Sequence, residues 1–373
     1  MTKGVIITGS RWGLLSDAAT FPSWHFHEAL RERVEFQVWA EEVEEGTHPH
    51  VHSLRSSIPK DVSKRSNLIR LSLGASAPTK SFSPVLLRAC EEADFILVFF
   101  RGGTSLTDLV LRNWGRKSLL HLTDNFLLLY VRSGQFRHAF KALLEQVHCS
   151  RLPSRGMVFV AETDRSWFAK LFPWRRKDTH AIPLGVDTKL FHPASDDEIA
   201  SRPGCCFLFA GDLSYEPNAH ACRYIIDHIL PGLPENITMV FGGRRPPDFV
   251  TRAAEIDSRI RVTGFVQDLS AVYRNCDVML APIFHGAGMQ NKLLEATASG
   301  LPCITTPVCA KAFPTVPPNF LVAGQPATLL AHALALCNAP EQRSLLGKEG
   351  RSHIMKEYSW KARAEALLRI ALP

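Results

Sequence analysis

Short, continuous apolar runs alternate along the chain with stretches of helical period. Val5-Ile6-Ile7, Asp94 to Phe100, Leu119 to Leu122 and Met157 to Val160 read as strands buried on both faces. Helical patterns over Pro84 to Ala93 and Leu127 to His148 lie between them. The second half repeats the alternation. Phe207 to Ala210, Thr238 to Phe241, Val278 to Ala281 and Pro302 to Thr305 read as strands, with helices over about 218–230, 268–275, 289–299, 326–337 and 340–356. Strands alternating with helices predict parallel sheets covered on both faces. Two such series predict an α/β chain of two doubly wound, Rossmann-like domains. The boundary is expected between Pro183 and Pro203, where prolines and glycines cluster around an acidic Asp196-Asp197-Glu198.

Composition narrows the class. With 373 residues, 46% hydrophobic and 21% charged, the chain has enough apolar content for two packed domains and too much for disorder. No run approaches the ~18 apolar residues of a membrane span, and the apolar start at Val5 is too short for a signal peptide. Nine cysteines without a CxxC pair predict free, mostly buried thiols and a reducing, cytoplasmic location. Residues 1–185 hold 25 Lys and Arg against 18 Asp and Glu, a balance of +7, while residues 186–373 hold 18 of each. That asymmetry predicts either an anionic surface or acceptor for the first half, or merely a solvated basic face. Two basic stretches carry tryptophan, at 112–117 and 172–177, and suggest weak peripheral contact with the inner face of a membrane. No basic helix with interleaved aromatics or zinc-finger spacing supports nucleic-acid binding. His48, His50 and His52 alternate in an irregular stretch and read as a solvated loop or a metal site.

The richest segment runs from Phe284 to Pro302. Gly286 and Gly288 let the backbone turn tightly after a strand and approach a ligand closely. The helix that follows offers unpaired N–H groups at the positive end of its dipole, suited to phosphate. Lys292 falls in its first turn and Glu295 one turn later on a similar face. A carboxylate there can accept from two vicinal hydroxyls. The residues alone leave this reading beside a plainer one, a glycine turn before an ordinary amphipathic helix.

From Lys292 to Pro302 the segment resembles the donor-binding motif of the retaining glycosyltransferases of family 4, the group 1 glycosyltransferases of GT-B fold: a glycine turn, then Lys-x-x-Glu-Ala-x-Ala-x-Gly-x-Pro. Pro183-Leu184-Gly185-Val186-Asp187 with Phe191 and Pro193 resembles the family's interdomain segment. Gly211 to Asn218, with its Pro217-Asn218 ending, is similar to the opening of the C-terminal domain, and Val262 to Leu269 to a further family element. The resemblance implies an N-terminal acceptor domain over 1–185, a C-terminal nucleotide-sugar domain over 186–358 facing it across a cleft, and a final helix, 359–373, returning to the first domain. It implies donor binding by Gly211, Asn218, Arg244, Gly286, Gly288, Met289, Gln290, Asn291, Lys292 and Glu295. Glu295 would hold the ribose and Lys292 the diphosphate, Lys292 also being catalytic. His121 and Asp124 would be catalytic aids that orient acceptor or donor, His121 being equally readable as a core histidine.

Two departures stand out. The first glutamate of the family's usual pair would fall at position 287, which is Ala287. The loop 211–216 lacks the usual Arg and Lys, for which Arg244 is the available substitute unless it is a solvated loop arginine. The expected function is metal-independent, retaining sugar transfer from a nucleotide-diphosphate sugar to a hydroxyl of a sugar, glycan, lipid-linked or small-molecule acceptor, with no cofactor. The alternatives are an inactive nucleotide-sugar-binding partner module and a GT-B nucleotide-sugar epimerase.

Overall fold

A computed structural model describes residues 1–12, 20–43, 50–54, 82–100, 105–122, 125–132, 134–195, 197–198, 204–286 and 288–372. The chain divides into two compact units, Met1–Leu184 with Trp360–Pro373, and Gly185–Ser359.

The first unit is built on seven strands: β1 (Thr2–Trp12), β2 (Val34–Val43), β3 (Val51–Ser53), β4 (Phe95–Phe100), β5 (Ser118–Leu122), β6 (Gly156–Phe159) and β7 (Thr179–Ala181), in the order 3-2-1-4-5-6-7. Every neighbouring pair is parallel. The strands are apolar almost throughout because helices cover both faces. Ile96, Val98, Leu120 and Met157 join Leu86, Leu109 and Phe168 from the flanking helices in one core. The last helix, Trp360–Ala371, packs on the helix Thr20–Leu30, with Trp360 stacked at 4.3 Å on His25.

The helix expected over Leu127 to His148 is two helices, Phe126–Arg132 and Phe136–Arg151. Gly134 breaks it in the left-handed region at φ 70°. The Gln135 amide reaches back to the Tyr130 carbonyl at 2.9 Å and the Gly134 amide to Val131 at 3.3 Å. This glycine closure outweighs the continuous apolar period that suggested one helix.

The second unit has six strands: β8 (Cys206–Ala210), β9 (Thr238–Gly242), β10 (Ile260–Gly264), β11 (Val278–Ala281), β12 (Cys303–Thr305) and β13 (Phe320–Val322), all parallel, in the order 10-9-8-11-12-13. Phe207, Leu208, Met239, Phe241 and Val278 to Ala281 fill its core. Both sheets reverse their order once, between β1 and β4 and between β8 and β11. In doubly wound sheets a ligand binds outside the carboxyl ends of the strands at such a reversal.

The family-like elements have local structural reasons. The Asp187 carboxylate accepts from the Lys189 and Leu190 amides at 2.9 and 3.1 Å and so bends the chain into the second unit. Asp268 caps the helix Leu269–Arg274 by accepting from the Ala271 amide. Pro193 lies 3.2 Å from where a Cβ on Gly300 would stand, which ties the entry segment to the turn before β12.

Candidate functional site

The carboxyl ends of β8 and β11 present two loops side by side. The first begins at Gly211 (φ 144°), and the second carries Gly286 (φ 143°) and Gly288 (φ 73°). Behind the first loop stands Gly243 (φ 137°), after β9. A Cβ on Gly243 would come within 1.8 Å of the Gly211 carbonyl oxygen, so the two loops pack backbone to backbone only because the residue is glycine. The Gly243 amide is held by the Thr263 hydroxyl at 3.1 Å, from the end of β10. The result is a cradle of bare backbone at the topological reversal.

Lys292 closes the cradle from the helix Asn291–Ala298. The side chain is 7% exposed. Its Nζ donates to Asn218 Oδ1 at 2.6 Å and lies 4.2 Å from the centre of the Phe209 ring. It is 3.2 Å from where a Cβ on Gly211 would be. Asn218 in turn donates through Nδ2 to the Asp212 carbonyl at 2.8 Å. Thus the Pro217-Asn218 step orients the lysine and braces the loop after β8 with one amide side chain. Burial lowers the Lys292 pKa from 10.5 to about 8, against the nearby Cys309, Cys222 and Glu295, which raise it.

Glu295 sits one turn on. Tyr273, fully buried, donates its hydroxyl to Glu295 Oε2 at 2.7 Å. Burial raises the Glu295 pKa, opposed by that hydrogen bond and by Lys292. The Tyr273 hydroxyl is pushed well above its ordinary pKa by burial and then by Glu295. Tyr273 also meets Phe191 edge-on at 5.5 Å. Tyr273 lies outside every motif quoted above, and nothing in the residue pattern marks it as the group that orients the carboxylate.

Met289 is buried and Gln290 is the N-cap of the helix, although its side chain makes no capping bond. Asn291 has a buried Oδ1 with no partner among the described residues. Around these, His285 meets both Glu216 carboxylate oxygens at 2.8 Å and stacks edge-on with His220 at 4.9 Å.

The expected substitute cation is differently placed. Arg244 lies 3.4 Å from the Asp212 carboxylate, which also binds Arg245. Asp212 is held below its usual carboxylate range mainly by the hydrogen bond from Arg245. Arg245 itself sits at φ 55°, in the left-handed region, and meets the same carboxylate as Arg244. Lys292 is therefore the cradle's buried cation.

His121 belongs to the first unit. It is 2% exposed on β5, between Phe99 at 4.8 Å and Phe26 at 5.9 Å, with neither ring nitrogen partnered among the described residues. Burial lowers its pKa to about 3, so it is a neutral imidazole at physiological pH. Asp124 and Ala287 lie outside the described residues, as do His48 and most of the irregular stretch around it. His52 stacks on Trp39 at 4.3 Å, and no cluster of metal-binding side chains occurs among the described residues.

The two tryptophan-bearing basic stretches are partly committed to structure. Lys117 donates to the carbonyls of Glu91 and Ala93 at 2.7 and 2.8 Å, and Trp114 Nε1 donates to Glu91 at 2.6 Å. Arg175 is buried, bonded to Ser154 and 3.6 Å from Asp178. These two cations serve the fold and are not part of a free basic face. No described helix is long and apolar enough to cross a membrane.

The stretch of the second unit that carries the cradle matches a known family model. Residues 204–338 match the family model described as glycosyl transferases group 1. Over 209 residues the chain is 26% identical to a GDP-mannose-dependent monoacylated alpha-(1-6)-phosphatidylinositol monomannoside mannosyltransferase of Corynebacterium glutamicum, a match spanning 51% of this chain and 55% of that relative. Among solved structures, a sucrose-phosphate synthase from Thermosynechococcus elongatus is similar at TM-score 0.69 and 15% identity, covering 99% of this chain and 98% of the other. Anabaena Alr3699/HepE, solved with UDP and glucose, is similar at TM-score 0.66 and 14% identity over 99% of both chains. The fold is two parallel-sheet, Rossmann-like units of the GT-B type, as the sequence predicts.

Proposed function

We propose that the protein is a glycosyltransferase that moves a sugar from a nucleotide-diphosphate sugar to an acceptor hydroxyl. The observation that carries this reading is Lys292. It is a buried cation with no carboxylate bonded to it among the described residues, held by Asn218 over a cradle of bare glycine backbone at the sheet reversal. A diphosphate fits that chemistry, since the site combines a desolvated ammonium with the first-turn amides of the helix Asn291–Ala298. Glu295, oriented by Tyr273, is suited to accept the ribose hydroxyls. The similarity to a relative named for GDP-mannose and to a structure solved with UDP supports a nucleotide sugar as donor.

The chemistry follows from charge. The leaving group is a diphosphate, and the developing charge on its bridging oxygen is what the site must stabilise. Lys292 and the helix-end amides supply that stabilisation without a metal ion. In the retaining course we propose, the acceptor hydroxyl attacks the face from which the diphosphate departs. The departing phosphate oxygen takes the acceptor proton. Acceptor recognition is assigned to the first unit, where His121, neutral and buried against Phe99 and Phe26, supports the end of β5 rather than abstracting a proton. A thermal-shift panel of UDP- and GDP-sugars tests the donor. A ligand at a hundred times its dissociation constant stabilises by ~2.7 kcal/mol. Release of nucleoside diphosphate from the shifted donor, with and without acceptor sugars, then separates a transferase from a binding module. Product formed without any acceptor, as an isomeric nucleotide sugar, would mark an epimerase.

A further inference from the structure

A second pocket, of about 430 Å³, opens in the second unit at the opposite end of its sheet from the cradle. It is floored by Cys276 and Asp277, which lead into β11, and by Ser299 to Leu301, which lead into β12. In a parallel sheet these are the amino ends of strands whose carboxyl ends face the cradle. One wall is the helix Pro340–Glu357, which contributes residues spaced three and four apart.

The pocket is basic. Arg274, Arg343, Lys348 and Arg351 line it beside one carboxylate, that of Asp277, with Arg274 itself paired to Asp268 at 3.5 Å. Asp277 is turned inward, accepting from the Cys206 amide at 2.8 Å. Two of the arginines are fixed by backbone carbonyls and so keep their full charge. Arg343 donates through Nη1 to the carbonyls of Leu336 and Cys337 at 2.5 and 3.1 Å, and its Nε and Nη2 have no partner among the described residues. Arg351 is held by the carbonyls of Phe191 and Thr188 at 3.0 and 3.1 Å, and by that of Ala298. Lys348 is exposed at the mouth with no ion pair among the described residues.

A second feature is independent of charge. Ser299 lines the pocket and is 3% exposed, yet its hydroxyl has no hydrogen-bond partner among the described residues. A buried hydroxyl left unpaired is costly, and a ligand oxygen in the pocket would satisfy it. Ser344 and Ser352 place two more hydroxyls on the helical wall.

We propose that this pocket binds a phosphorylated small molecule, the phosphoryl group between Arg343 and Lys348 and a hydroxylated body on the serine side. Planar guanidinium groups held in place by carbonyls suit phosphate oxygens. Neither residue belongs to the cradle, so the site stands whether or not the donor reading holds.

The probes are inorganic phosphate and glucose 6-phosphate, titrated calorimetrically into the full chain with and without a saturating nucleotide sugar. The sub-millimolar binding of glucose 6-phosphate is expected to persist with the cradle filled. It should weaken at least tenfold in Lys348→Glu and in Ser344→Glu, both exposed positions whose variants keep the wild-type melting temperature. Ser299→Ala should weaken glucose 6-phosphate more than inorganic phosphate. Equal affinity for both probes would overturn the placement of a hydroxylated body on the serine side. Absence of binding at millimolar concentrations, loss of binding when the cradle is filled, or unchanged affinity in both glutamate variants would overturn the proposal.

Discussion

The lowered pKa of Lys292 makes donor binding a proton-linked event. In the free protein burial brings the ammonium from 10.5 to about 8, a penalty on the charged form of about 3 kcal/mol. A bound diphosphate is an opposite charge at contact and restores the pKa toward its ordinary value. The sign follows directly. Below pH 8 the lysine is charged in both free and bound states, and affinity is flat. Above pH 8 the free protein loses its proton while the complex retains it. Affinity then falls by up to ~tenfold per pH unit until the pKa of the complex is reached. Binding at pH 8.5 should therefore take up about 0.75 proton. Calorimetry in two buffers of different ionisation enthalpy measures this number. A nucleotide sugar is the right titrant, because its diphosphate is substituted at both ends and does not itself titrate near this pH. Lys292→Gln should bind more weakly and take up none. Proton uptake near zero in the wild type, or the same uptake in the glutamine variant, would refute the assignment of Lys292 to the diphosphate. The free protein carries the mirror-image effect. Its stability should gain as pH rises from 8 toward 10.5, because the charged lysine is disfavoured only in the folded state.

Four further outcomes are expected. Glu295→Ala should raise the donor KM at least tenfold with the fold intact, since charge-assisted bonds to hydroxyls contribute ~1.5–3 kcal/mol each; Tyr273→Phe, which only releases the carboxylate, should cost less. Lys292→Ala should lower kcat more than donor affinity, and Asp212→Asn in that background should recover part of the rate by freeing Arg244 and Arg245, with a double-mutant cycle as the readout. Activity should persist in excess chelator, and an absolute need for magnesium or manganese would remove the metal-free mechanism. Gly243→Ala, whose new methyl would fall on the Gly211 carbonyl, should lower the melting temperature by several degrees and abolish donor binding, whereas Gly264→Ala, with open space around it, should keep binding and lose stability only through its φ of 64°.

Much of this architecture was legible because it depends on patterns that repeat. Runs such as Phe95 to Val98 and Val278 to Ala281 are apolar at every position, which only strands covered on both faces require. The cradle was legible for the same kind of reason. Gly286, Gly288, Lys292 and Glu295 hold fixed spacings that a strand, a turn and a helix convert into one surface. What stayed hidden depends on partners distant in sequence. Nothing near Arg244 foretells that Asp212 claims it, because the two loops meet only through the pairing of β8 and β9. Tyr273 reads as one more apolar helix residue until Glu295, 22 positions on, is seen to accept its hydroxyl. Lys117 and Arg175 look like surface charge, and become structural only once the carbonyls of Glu91, Ala93 and Ser154 are placed beside them. The division of the long helix at Gly134 is different again. There a single residue's access to positive φ overrides an unbroken hydrophobic period.

The electrostatics of the cradle form one design. Asp212 gathers both nearby arginines on one carboxylate, and both guanidinium groups stay largely exposed to water. The Tyr273 hydroxyl donates to Glu295 Oε2 at 2.7 Å and orients the carboxylate. Asn218, a neutral acceptor, holds the ammonium without cancelling it. Among the described residues this leaves the buried Lys292 charge without a bonded carboxylate, at the cost reflected in its depressed pKa. A charge held this way interacts more strongly with an arriving anion than a solvated arginine on the rim, because the water that would screen it has already been removed. The same arrangement explains why glycine surrounds it. Any side chain at 211 would press on Lys292 Nζ, and any at 243 would push the two loops apart, so the cation and the bare backbone that frames it stand or fall together.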